Sequence, residues 1–220
     1  LTVASANDTT AVGIDIGSSA SFNFAANSTS GYTTTFNMDN TGLDIGHNST
    51  GRSLNLKTGA ADRLTITGTG NVGIGTTSPT ALLTVAGDIL VNGITVGRGG
   101  GNINGNVAIG QASLAVNTGG LNTAVGHRAM WNSANGGYQN VAIGYQAFQN
   151  FNIYRGYNVV VGTTAGSIDA SGNSLTSLHQ SILLGSLSKP LLSGDANTIV
   201  IGYNAEGIGS NSVVLGNDSI

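Results

Sequence analysis

The sequence predicts an elongated all-β fold: a β-roll or β-solenoid of stacked short rungs in the C-terminal half, preceded by short interwoven strands. Three observations predict it. A phrase typified by "NVAIGYQAF" at Asn140 returns at Asn106, Asn122 and Asn158, and its marker glycine can be followed through Gly17, Gly46, Gly75, Gly97, Gly110, Gly126, Gly144, Gly162, Gly185, Gly202 and Gly216. The residue before each marker is always aliphatic, and the residue three before it is aliphatic in every copy except Thr123. From Gly97 onward the markers are only 13 to 23 residues apart, which leaves no room for an amphipathic helix between strands.

Each element follows from these positions. Positions −3 and −1 relative to the glycine share one face of a strand, and their β-branched residues favour a strand over a helix. The glycine ends the strand by taking φ > 0 or by admitting a neighbouring backbone. The residue three after it is always small (Ser113, Ala129, Ala147, Ala165, Ser188 and Ala205 among them), which reads as a tight corner. Position −2 changes from Asp15 and Asp44 through Ala108, Ala124 and Ala142 to Val160, Leu183, Val200 and Val214. A solvent-facing strand has no reason to carry that late apolar run, so the −2 face is expected to meet another copy of the chain.

Before the rungs, residues 1–96 form a β-rich shaft region with a 29-residue period, in which "GIDIGSSASFNF" at Gly13 is answered by "GLDIGHNSTGRSLNL" at Gly42 and "NVGIGTTSPTALLTV" at Asn71. Alternating segments such as Leu54-Asn-Leu56 and Leu64-Thr-Ile66 read as half-buried strands. The glycine-rich stretch 97–105 is the expected linker, and 106–220 the repeat roll.

Composition narrows the function. Charged residues make up 8% of the 220, against about 25% in ordinary globular proteins. The net charge is −3, with no run of Lys or Arg, which argues against nucleic acid and anionic membranes as partners. There is no cysteine, so disulfides and thiolate metal sites are excluded. No apolar run approaches the ~20 residues of a transmembrane helix, and the opening "LTVASANDTT" lacks the features of a signal peptide. Beginning at Leu1 and ending just after a repeat, the chain reads as a portion of something longer. Ordering backbone costs about 1–2 kcal/mol per residue, whereas two aliphatic side chains per rung return roughly 1.5–3 kcal/mol each. A narrow roll therefore gains from partner chains, and an oligomer is expected.

The stretch "GNVGIGTTSPTALLTVAGDI", Gly70 to Ile89, closely resembles a phrase of bacteriophage tail fibres that carry a C-terminal intramolecular chaperone of the endosialidase type. The rungs from Asn106 to Ser219 resemble the head repeats of trimeric autotransporter adhesins, which form a trimeric left-handed β-roll. Both resemblances imply a homotrimer. The first implies a virion tail fibre joined to other fibre segments, with a chaperone domain beyond Ile220 removed after folding and with host cell-surface polysaccharide or an outer-membrane protein as receptor. The second implies a bacterial adhesin head. The 23-residue step from Gly162 to Gly185 departs from the adhesin spacing and implies a decorated roll.

Against these binding readings stands a polysaccharide-degrading tailspike, which needs two carboxylates ~5–9.5 Å apart. The ten acids show no such pairing by pattern: Asp15 and Asp44 merely share a repeat position. No catalytic residue is assigned and no cofactor is expected. His47 and His127 occupy the variable position after the glycine and read as exposed turns, so no metal site is assigned. Seven of the aromatics cluster between 131 and 157. Phe148 shares a column with Leu114 and Met130 and is expected in the core; Leu121, Tyr138 and Tyr157 are expected to stack inside. Tyr145 sits at the variable exposed position, while Trp131, Phe151, Tyr154 and Arg155 lie in the longer connections. Trp131, Tyr145, Phe151, Tyr154 and Arg155 are therefore the candidate receptor-binding residues, though each would equally suit packing between subunits.

Overall fold

The computed structural model describes residues 34–39, 42–133, 137–150 and 156–219. Among them the chain is all β, with no helix. Two strands, β1 (Thr34–Asp39) and β2 (Gly42–His47), form an antiparallel hairpin. A four-stranded sheet follows from β3 (Leu54–Thr58), β4 (Ala61–Ile66), β5 (Val72–Ile74) and β6 (Leu83–Val85). Next comes a hairpin of β7 (Ile89–Val91) and β8 (Ile94–Gly97), closed by Asn92 and Gly93 at φ 49° and 80°. Two central residues with positive φ match the twist of the flanking strands, which is why Asn-Gly serves so well there.

The solenoid is built on β9 (Val107–Gly110), β11 (Thr123–Val125), β13 (Val141–Ile143), β14 (Val159–Val161), β15 (Ile182–Leu184), β16 (Thr198–Ile201) and β17 (Ser212–Leu215), stacked parallel and in register through about six turns. Two short strands, β10 (Val116–Asn117) and β12 (Asn132–Ser133), pair on a separate wall. The repeat thus produces parallel rungs from Gly110 to Gly216. Earlier copies of the same phrase pair differently. Gly97 ends β8, which runs antiparallel to β9 and caps the stack, and Gly46 ends in the β1–β2 hairpin. Asp88 ties this cap down by accepting the Arg98 and Gly99 N–H groups at 2.7 and 2.9 Å.

Three ladders hold the rungs together. Gly110, Gly126, Gly144, Gly162 and Gly185 have φ between +132° and +139°, and a Cβ on any of them would lie 2.2–2.5 Å from the carbonyl oxygen of the next glycine in the ladder. Glycine is required there twice over, by conformation and by space. The asparagine ahead of each strand is buried, and its Oδ1 accepts the N–H of its counterpart one rung on: Asn106 from Asn122 at 2.8 Å, Asn122 from Asn140 at 3.0 Å, Asn140 from Asn158 at 3.2 Å. Ser181 N–H closes on Asn158, and Thr198 N–H on the Ser181 hydroxyl. A third ladder is conformational. The residue before each of these polar residues, and before Ser212, is left-handed: Gly105, Leu121, Gln139, Tyr157, Gln180, Asn197 and Asn211 have φ between 50° and 79°.

The core corrects the sequence reading of the two strand faces. Position −2 points into the solenoid's own interior: Ala108, Ala124, Ala142, Val160, Leu183 and Val200 are fully buried. Positions −3 and −1, expected inside, face outward. The drift of position −2 from alanine to larger residues is volume compensation across the interior. Where it is Ala108, Ala124 or Ala142, the residue four after the glycine is Leu114, Met130 or Phe148, all fully buried. Where it becomes Val160, Leu183 and Val200, that column changes to Gly166, Lys189 and Glu206. A Cβ on Gly166 would already press on Leu183, Val160 and Phe148 at 3.1–3.3 Å. Close packing lets one side of a narrow core grow only as the other shrinks. The column ends in an ion pair, Lys189 Nζ to Glu206 Oε1 at 2.9 Å, with Asn204 Oδ1 also accepting from Lys189.

Candidate functional site

Two kinds of surface stand out, one aliphatic and one ringed. The outward face of the large sheet carries positions −3 and −1 of seven rungs, and the pairings Val96↔Ile109, Ile89↔Val96 and Val91↔Ile94 extend it over the capping hairpin. Across nine strands Thr123 is the one residue of this face that is not Val, Ile or Leu, and none is charged. Exposure reaches 53% at Val91, 60% at Val213 and 72% at Leu215. Monomers rarely leave a contiguous apolar patch beyond about 300–600 Å² uncovered.

The four-stranded sheet repeats the feature. Its register places Leu54, Leu56, Leu64, Ile66, Val72, Ile74, Leu83 and Val85 on one face, none of them buried. The opposite face carries Thr65 and Gly73, both buried, with Thr76 folded over Gly73.

The rings lie at the two ends of the rung strands. Tyr145 follows its marker glycine, is 47% exposed and meets His127 edge-on with centroids 5.5 Å apart. Trp131 is half-buried, with the Arg128 guanidinium 5.1 Å from its ring centroid, a cation–π distance. These two of the five sequence candidates are placed, each with its own neighbour. Phe151, Tyr154 and Arg155 lie outside the described residues.

At the other end, Leu121, Tyr138 and Tyr157 are exposed rather than stacked inside, which corrects the expectation for all three. The left-handed φ of Leu121 and Tyr157 turns the chain at the corner, so the following asparagine enters the interior and the preceding side chain is left outside. Tyr138 and Tyr157 meet edge-to-face with centroids 5.5 Å apart, and Tyr157 meets His179 at 6.0 Å. Phe148 is fully buried beside Leu114 and Met130, as its column predicts.

Comparison with protein families, with characterised proteins and with solved structures gives no match. Function is therefore argued from the molecule itself. Among the described residues no group of three or more His, Asp or Glu is arranged to hold a metal. The acids there have structural partners in several cases: Asp62 with Lys57 at 2.9 Å, Asp169 capping the turn at Ser171 and Asn173, and Asp195 accepting from Leu192 N–H and the Ser210 hydroxyl. A shallow depression at the far end of the stack contains Glu206 and Asp218 beside Val214 and Leu215.

Proposed function

We propose that this chain is a structural and receptor-binding segment of a phage tail fibre, assembled as a homotrimer that attaches to the bacterial host surface. The observation that carries the reading is the uncovered aliphatic face across nine strands. An uncharged sheet of Val, Ile and Leu in water invites aggregation unless another surface covers it. A second and third copy, bringing the same face, fit it best. Burial there returns roughly 25 cal/mol per Å² of apolar area.

Attachment then works by multiplicity. Three equivalent weak sites on a stiff rod bind a repetitive surface far more tightly than one, because the second and third contacts form at high effective concentration. No bond-making chemistry is required. The parallel stack of NVAIG-type rungs also suits the head of a trimeric autotransporter adhesin, in which the same face would be shared and the same logic of attachment would hold.

A panel of bacterial strains incubated with labelled protein tests the proposal. Saturable binding by the assembled form, weakened at least tenfold when Ile143→Glu disperses the assembly, is the expected result. Release of oligosaccharides from surface polysaccharide, or absence of binding to every strain, would count against it.

A further inference from the structure

The ring ladder at the corner leading into the rung strands is separate from the aliphatic face and has a different chemistry. We propose that Tyr138, Tyr157 and His179 form a stacking site for an uncharged glycan, a proposal that rests on the attachment reading and gives it a ligand class.

Several observations point to a sugar. The three rings come from successive turns of the solenoid, where parallel strands repeat at about 4.8 Å. Their edge-to-face contacts, at 5.5 and 6.0 Å, fix ring orientation before any ligand arrives. His179 is further pinned, with Nδ1 3.1 Å from the Gly156 carbonyl oxygen. A carbonyl oxygen only accepts, so Nδ1 carries the proton of this contact. Between and beyond the rings, the left-handed corner positions present the exposed amides of Gln139, Gln180 and Asn197, groups that both donate and accept.

A sugar ring offers the matching pattern, with C–H groups for the aromatic surfaces and hydroxyls for the amides. No Lys or Arg is among the described groups that the site brings together, so none of them pairs with an anionic glycan. The ionisable Asp195 near this corner is buried and already accepts from Leu192 N–H and the Ser210 hydroxyl. A subunit contact would favour continuous dry aliphatic surface, which the adjacent sheet face provides and this corner does not.

The test uses the full 220-residue chain and arrays of immobilised neutral oligosaccharides of glucose, galactose, mannose and N-acetylglucosamine, with sulfated counterparts as controls. Tyr157→Asn removes a ring while keeping a residue that accepts φ > 0 readily; Tyr138→Ser removes the second ring. Retention on at least one neutral oligosaccharide is expected, falling about tenfold for each lost ring. Tyr203→Ser, at an exposed ring outside the ladder, should retain wild-type behaviour.

Absence of retention on every neutral oligosaccharide, or unchanged retention in the double variant, would overturn the proposal. So would a fall in oligomer mass in the double variant, which would assign the ladder to subunit contact. Strain binding that persists in a folded, fully assembled double variant would reject this glycan site and leave the attachment reading standing. Glycan retention by a wild-type chain that binds no strain would do the reverse.

Discussion

The N-terminal sheets and the solenoid use the same vocabulary, short aliphatic strands ending in glycine, yet differ in what they bury. Every fully buried apolar side chain among the described residues lies at Ala108 or beyond. The solenoid closes around one face of each rung, so a narrow dry interior exists within a single chain. Among the described residues the four-stranded sheet has no second layer of strands, and the β1–β2 hairpin leaves Leu43 and Ile45 about half exposed. A sheet needs its hydrophobic face covered to be stable. The solenoid partly supplies its own cover, whereas the N-terminal sheets leave their apolar faces unburied among the described residues.

The largest effect should come from separating the two regions. Residues 87–219 produced alone, with the Asp88-tied hairpin as cap, should give the dispersed amide spectrum of a folded protein. Residues 34–86 alone should give the narrow spectrum of an unfolded one. A folded N-terminal fragment at micromolar concentration would break the comparison.

Within the solenoid, Gly144→Ala should be more damaging than any of the substitutions that follow. The added Cβ would lie 2.5 Å from the Gly162 carbonyl oxygen, at φ +136°, and overpacking together with backbone strain should cost about 3 kcal/mol or more in chemical denaturation. Asn140→Ala should cost about 2–3 kcal/mol, because it strands the buried N–H of Asn158 and removes the 2.8 Å bond from its side-chain amide, which keeps only the Leu178 carbonyl oxygen. Changes on the outward face should divide by region: Ile143→Glu should leave a folded, monomeric solenoid, whereas Ile74→Glu should abolish the four-stranded sheet altogether. Spectra and solution mass together would show that division. The smallest effect is a gain. Leu187 is exposed at φ 62°, so Leu187→Asn should raise stability by about 0.5–1 kcal/mol.

The rungs were legible because their signal is local: a two-residue period, a glycine that admits no Cβ and a small residue at the corner. Which face is inside was not legible from the strand alone. Val, Ile and Leu occupy positions −3 and −1 everywhere but Thr123, and position −2 from Val160 onward, so hydrophobicity does not separate the faces there. The decisive partner is the column four after the glycine, whose Leu114, Met130 and Phe148 mirror the alanines across the core. Reading the two columns together would have found the interior.

Strand direction depends on what comes next. "VNGI" at Val91 contains the Asn-Gly pair of a two-residue hairpin, a signal that turns β8 antiparallel despite its rung-like sequence. Of the candidate receptor residues, Tyr145 had an exposure that was legible from the variety at its position. The Tyr138–Tyr157–His179 ladder was not, since it depends on a left-handed corner residue that bulky side chains seldom occupy.

The most direct test of the central claim is the solution mass of the full chain and of its Ile143→Glu variant by analytical ultracentrifugation. The account predicts about three times the 21.9 kDa chain mass for the wild type, and a folded species of one chain mass for the variant. A stable wild-type monomer, with its aliphatic face open to water, would contradict it.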